Sequence, residues 1–140
     1  MTELQEKIAS IYPEGDSGTP AFVVTFDPNI PFIGVPIVVQ LHRIKADTMY
    51  TLAFSITNES GELVGDAVRT VKIDSEPIKD DPTQLFPDNT VMVSVKTMIS
   101  PVKINVSVSE NLKVSVTMSS DEMSTAPVHT YITTRPLPKK

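Results

Sequence analysis

Between Thr90 and Met118 apolar and polar residues alternate in three successive runs, and a chain with that rhythm has few options other than a sheet. Val91, Val93 and Val95 alternate with Met92, Ser94 and Lys96. Val102, Ile104, Val106 and Val108 alternate with Lys103, Asn105 and Ser107, and Leu112, Val114, Val116 and Met118 with Lys113, Ser115 and Thr117. Successive side chains of a strand point to opposite faces, so period two predicts strands buried on one side. Directly opposed residues of an antiparallel pair share a face, so apolar meets apolar only where the two position numbers sum to an even value. A three-residue loop, Ser109-Glu110-Asn111, meets that condition, with Asn111 in the left-handed conformation that ends such loops. The expected pairs are Val108 with Leu112, Val106 with Val114 and Ile104 with Val116.

Ser100-Pro101 separates the first two runs. Proline pushes the preceding residue out of the helical region that a type I turn needs, so a tight hairpin is awkward there. Either Pro101 is cis, or the chain crosses to a second sheet; the crossing is the expectation.

The 140 residues suit one domain, large enough to bury about two thirds of the unfolded surface without disulfide or metal staples. With no cysteine, disulfides, thiol nucleophiles and cysteine-zinc sites are excluded, which favours a reducing compartment. The N-terminus, MTELQEKIAS, carries acids and no apolar segment, unlike a secretory signal, so a cytoplasmic location is expected. Pro31, Gly34 and Pro36 interrupt the longest apolar run, Ile30 to Val39, leaving no membrane-spanning helix and no membrane partner. A net charge of -5 with scattered lysines and arginines argues against a nucleic-acid partner, which demands a basic face.

Thr2 and Gln5 read as a capping box, and Leu4, Ile8, Ile11 and Tyr12 recur at helical spacing. A short amphipathic helix over residues 3 to 12 is therefore predicted. It is too short to stand alone and must dock on a sheet of its own domain or on a partner subunit. Residues 1 to 20 form this helix and a connector, 21 to 120 the β-domain, and 121 to 140 a tail in which Val128 to Thr133 suit an edge strand. Ala21 to Phe26 is a short strand. Asp27 to Pro36, with three prolines, is an edge or a loop. Ile37 to Ile44 is a strand with Ile37, Val39 and Leu41 facing inward, and Val38, Gln40 and His42 outward.

In residues 44 to 61 Tyr50, Leu52, Phe54 and Ile56 alternate with Met49, Thr51, Ala53 and Ser55, and Asn58-Glu59-Ser60-Gly61 closes a hairpin. Leu63 to Ile73 returns antiparallel, placing Ile56 opposite Leu63, Leu52 opposite Ala67 and Arg69 opposite Tyr50. Ile44, Thr48 and Tyr50 resemble the tyrosine corner of fibronectin type III and other immunoglobulin-like sandwiches, in which a tyrosine hydroxyl bonds backbone a few residues upstream. The resemblance covers about 18 residues of the 140, and roughly 80 residues follow it here, whereas in fibronectin type III the motif comes late. It supports a sandwich without assigning a family. The predicted fold is mainly β: an antiparallel sandwich of seven or eight strands, immunoglobulin-like or a related Greek key, with a short N-terminal helix. A closed barrel is the alternative.

Chemical motifs are absent. His42 and His129 are far apart in sequence and read as ordinary strand and tail residues, so no imidazole metal spacing exists. No Gly-x-Ser-x-Gly elbow, Ser-x-x-Lys stretch or glycine-rich phosphate loop occurs, and no enzyme, catalytic residue or cofactor is predicted. The loop from Asp74 to Asn89 holds five acids against Lys79 alone. Asp74, Glu76, Asp80 and Asp81 are the one metal candidate, as oxygen ligands for calcium, although the EF-hand glycine and closing glutamate are missing. Without tryptophan, aromatic platforms for carbohydrate are scarce. Arg135-Pro136-Leu137-Pro138 reads as a disordered terminus or a polyproline ligand. The function expected is a non-catalytic interaction or assembly module, contacting a protein partner or a second copy through edges, tail and exposed residues such as Val38, Met92 and Met98. A calcium or small-ligand sandwich and a virion structural component are the alternatives.

Overall fold

A computed structural model describes residues 6–15 and 18–137. Its strands are β1 (Lys7–Pro13), β2 (Val23–Phe26), β3 (Phe32–Lys45), β4 (Tyr50–Thr57), β5 (Leu63–Val71), β6 (Thr90–Lys103), β7 (Asn111–Ser119) and β8 (Val128–Pro136), with one 3-10 turn at Glu76–Ile78. They form two sheets, one in the order β1-β3-β6 and the other β2-β8-β7-β4-β5. The protein is therefore mainly β, a two-sheet sandwich. The core lies between the layers. Ile37, Val39 and Leu41 of β3 and Val91 and Val95 of β6 come from one side, and Leu52, Phe54, Ile56, Val114 and Val116 of β4 and β7 from the other. Each of these side chains, removed from water, contributes on the order of 1.5–3 kcal/mol. On β4 and β7 alternation holds without a break, as the sequence requires.

The N-terminal helix is not present over the described residues: Lys7–Pro13 is a strand paired antiparallel to β3. Ile8 and Ile11 are three apart, as on a helix, yet both are buried, because a β-bulge lies between Ile8 and Ser10. One extra residue in a strand turns a spacing of three into a same-face pair. Thr2 and Gln5 lie outside the described residues.

The same device recurs twice. Leu41 and Ile44 pair with Val93 and Val91, so His42 and Arg43 together oppose a single residue of β6. Ile99 and Val102 pair with Val35 and Ile33, and the bulged pair there is Ser100-Pro101. The Ser100-Pro101 bond is cis, and β6 continues through it to Lys103, so the expected crossing at Pro101 is corrected. Proline is accepted within a strand at a bulge.

The chain crosses between sheets after Lys103, and this overturns the predicted hairpin of 102–118. Val108 does not face Leu112, because β7 pairs with β4 and β8: Val114 lies opposite Ile56, and Val116 opposite Phe54. Residues 105–107 form a turn in which the Asn105 side chain accepts the Ser107 N–H at 2.9 Å. Alternation states which face is buried and not which strand lies alongside. The β4–β5 register is also corrected, by two positions: Ile56 opposes Gly65, Phe54 opposes Ala67, and Leu52 opposes Arg69, with a bulge between Ile56 and Thr57. A two-residue slip preserves the faces, so the inward pattern alone could not exclude it.

Val128–Pro136 is an interior strand, with β7 on one side and the short β2, parallel, on the other. Arg135 and Pro136 pair with Thr25 and Phe26, and the Leu137 N–H reaches the Phe26 carbonyl at 2.8 Å, so Arg135, Pro136 and Leu137 are held against β2. Pro138 to Lys140 lie outside the described residues. Phe32 to Pro36, expected as an edge or a loop, belong to β3, where they pair with β6. The edges of β5 and β6 meet along one side. A Cβ on Gly65 would stand 2.9 Å from Val102 Cγ2, and the Arg69 guanidinium donates to the backbone carbonyl of Lys96, capping an edge group.

Candidate binding cleft

At the end of the sandwich where β3 finishes and β6 begins, an open cleft of about 870 Å³ is lined by Glu6, Lys7, Arg43, Lys45, Asp88 and Thr90, with Ser124 to Ala126 on the far wall. Its chemistry begins with the β3 bulge. Two consecutive polar residues, His42 and Arg43, stand between the inward-facing Leu41 and Ile44. Arg43 takes φ of 56°, a left-handed conformation uncommon for a side-chain-bearing residue. Bulges re-aim side chains in this way.

The Arg43 guanidinium lies 4.2 Å over the Phe86 ring and 3.4 Å from the Asp88 carboxylate, with its side chain 20% exposed. Its Nε is buried and has no hydrogen-bond partner. Asp88 is itself fixed: Thr90 donates to it through Oγ1 at 2.5 Å and through N–H at 3.2 Å. The bond from the Thr90 hydroxyl holds the Asp88 carboxyl below the ordinary carboxylate range; desolvation opposes it, and the charge of Arg43 adds a lesser lowering. Asn89, at φ of 65°, is a second left-handed residue in the wall, and its carbonyl accepts the Ala46 N–H at 2.9 Å. Strained residues persist where the surroundings over-determine them, and they cluster at ligand sites.

Two other charges are already engaged. Lys45 Nζ lies 3.1 Å from Glu122, which raises the lysine pKa, and the Tyr50 hydroxyl donates to Glu6. Lys7 forms no ion pair among the described residues.

The sequence-predicted metal residues fall elsewhere. Asp74 lies 3.8 Å from Lys72, and Glu76 2.8 Å from Lys79. Asp81 accepts from Thr83 and Gln84, which lower its pKa, and Asp80 is exposed. Among the described residues no group of three or more histidines or acids is gathered closely enough to hold a metal ion. His42 is half-buried on β3. His129 Nδ1 lies 2.7 Å from Ser115 Oγ on the exposed face of β7 and β8. Neither histidine lines the cleft. Met92 and Met98 are exposed as expected, at 55% and 59%, whereas Val38 is buried between the opposed Tyr12 and Lys96.

Arg43 was not singled out in the sequence, although a signal exists: the pair His42-Arg43 breaks the alternation that runs from Val39 to Leu41. Phe86 and Asp88, by contrast, reach it from more than forty positions away.

The opposite end carries several exposed apolar residues among polar ones. Backbone bonds from Ile104 to Pro31, from Leu137 to Phe26 and between Glu110 and Thr134 bring loops 27–31 and 104–110 together with the end of β8. Ile30, Phe32, Val108 and Leu137, each close to half exposed, are all placed there.

No protein-family model and no curated protein sequence matches this chain. The fold is similar to solved structures of a bacterial adhesin from Mobiluncus mulieris containing intramolecular disulfide, isopeptide and ester bond cross-links. In space group P21 the TM-score is 0.58 at 13% identity, covering 94% of this chain and 58% of the adhesin chain. In space group P1 it is 0.54 at 13% identity, covering 81% and 53%. The present chain thus spans a little over half the length of those adhesin chains. Among the described residues no helix is long and apolar enough to cross a membrane.

Proposed function

We propose that this chain is a non-catalytic β-sandwich module that works by protein contact, its contact surface being the end of the sandwich away from the cleft and its occupant a second copy. The observation that carries the reading is the placement of Ile30, Phe32, Val108 and Leu137, all exposed, at one end of the sandwich. Exposed apolar residues gathered on one part of a surface are a common mark of interaction sites. Likeness to adhesin β-domains supports a contact module, and their disulfide has no counterpart here, because the chain has no cysteine.

The Ser115 and His129 pair lies on an open sheet face, and no third group among the described residues orients the ring. Sedimentation velocity from micromolar to millimolar protein tests the reading. Association is expected to rise with concentration and to weaken at least tenfold in an Ile30→Ser, Phe32→Ser variant. A monomer at every concentration, or unchanged association in the variant, overturns it.

A further inference from the structure

We infer that the second copy docks through the free edge of β2, the two strands pairing antiparallel about a twofold axis at Val24 so that the two larger sheets join into one. This pairing rests on the self-association proposed above and specifies how the copies sit.

The edges of the sandwich are unequally guarded. Those of β5 and β6 close on each other through Arg69 and Gly65. β1 is bulged between Ile8 and Ser10, begins at Lys7 and ends at Pro13. Bulges, lysines and prolines are the usual obstacles to strand addition. β2 has none of them: it ends its sheet, runs beside β8 without a register shift, and consists of β-branched and aromatic residues alone. Its four residues are too few to hold a pair unaided, so the exposed apolar side chains around it must contribute.

The backbone sets the register. The Thr133 N–H donates to the Phe22 carbonyl and the Leu137 N–H to the Phe26 carbonyl, both at 2.8 Å, so Phe22 and Phe26 turn their backbone groups toward β8. Val23 and Thr25 are out of phase with them and both exposed, so their N–H and C=O groups point away from the sheet. An axis at Val24 sets Val23 opposite Thr25 of the second copy and Thr25 opposite its Val23, and every outward N–H meets an outward C=O. The same axis sets Val24 against Val24 and the half-exposed Phe22 against Phe26 of the second copy, apolar on apolar. Ile30 and Leu137 lie just past the ends of β2 and β8, and antiparallel pairing brings them beside the start of the second copy's β2, where Phe22 stands. Charge selects the occupant. Around a twofold axis a patch meets itself, so a charged edge would repel its own copy. Phe22 to Phe26 carry no charge in a chain whose net charge is -5, which suits a second copy and offers nothing to a charged peptide.

Because the chain has no cysteine, a single introduced thiol reports the register. The Val24 pair on the axis is a non-hydrogen-bonded pair with Cα atoms about 4.5 Å apart, within reach of a disulfide, whereas Val23 and its own copy stand beyond about 7 Å. Val24→Cys is expected to give a disulfide-linked dimer in a glutathione redox buffer at least tenfold faster than Val23→Cys, although Val23 is the more exposed position. Thr25→Pro removes an outward N–H and leaves the ladder with β8 intact, and Thr25→Lys changes only an exposed side chain. Each is expected to weaken association at least tenfold in sedimentation velocity with the melting temperature held within a few degrees. Equal cross-linking at positions 23 and 24, or full association in both Thr25 variants beside its loss in the Ile30→Ser, Phe32→Ser variant, overturns the edge pairing and leaves the end contact standing. A wild-type monomer at every concentration overturns both.

Discussion

The phenolic oxygen of Tyr50 accepts the backbone N–H of Lys45 at 2.8 Å, five residues upstream, and donates its own proton to Glu6. One fully buried side chain thereby ties the end of β3 to the start of β4 and holds the residue preceding β1. Removing the hydroxyl leaves the part-buried Lys45 N–H without this partner. Tyr50→Phe is expected to lower stability by about 1–3 kcal/mol in urea unfolding, with the fold retained. A loss below about 0.5 kcal/mol would show the corner to be ornamental.

The same phenol sets an alkaline limit. Desolvation, and then its bond to Glu6, push the Tyr50 pKa well above the ordinary value near 10. The folded state therefore holds this proton more tightly than the unfolded chain. The associated stability is complete below pH of about 10 and is lost as pH rises beyond it. Tyr50→Phe is expected to flatten the alkaline limb of a melting-temperature profile. On the acid side Asp47, Asp81 and Asp88 have lowered pKa values, chiefly through hydrogen bonds from Ser75, Thr83 and Thr90. Their contributions are present above about pH 4 and lost as pH falls further. Thr90→Val is expected to move the Asp88 carboxyl titration upward by carbon-13 NMR.

Gly65 leaves space that Val102 fills. Gly65→Ala sets a methyl 2.9 Å from Val102 Cγ2, with the Pro101 carbonyl 3.6 Å behind it, and is expected to cost about 1–3 kcal/mol. Combined with Val102→Ala the two costs are expected to be less than additive, and strict additivity in a double-mutant cycle would place the strain elsewhere.

Hydrogen exchange distinguishes the sheet crossing from a hairpin. Amides of β7, held between β4 and β8, are expected among the slowest in the chain, and those of Asn105 to Ser109 among the fastest. Slow exchange at Val106 and Val108 would restore the hairpin.

Calcium at millimolar concentration is expected to leave the melting temperature within about one degree, because Asp74, Glu76 and Asp81 are each bonded to a neighbouring side chain. A shift of several degrees would place a calcium site in loop 74–89.

The sequence by itself determined the class of fold and the buried faces. The inward residues of β4, β7 and the first half of β6 are legible because period two is a local property of a strand, whatever lies beside it. The tyrosine corner was equally legible, since its two ends are five residues apart. Tertiary structure alone decided the partners and the bulges. Ile8 with Ile11, Leu41 with Ile44 and Ile99 with Val102 all stand three apart, a spacing that a helix satisfies directly and a strand only with one residue looped out. Which solution holds depends on the strand alongside, and neither β1 nor β6 contains that information. The cleft is legible only in part for the same reason: the broken alternation at His42-Arg43 is local, whereas the ring and carboxylate that fix Arg43 arrive from a distant loop.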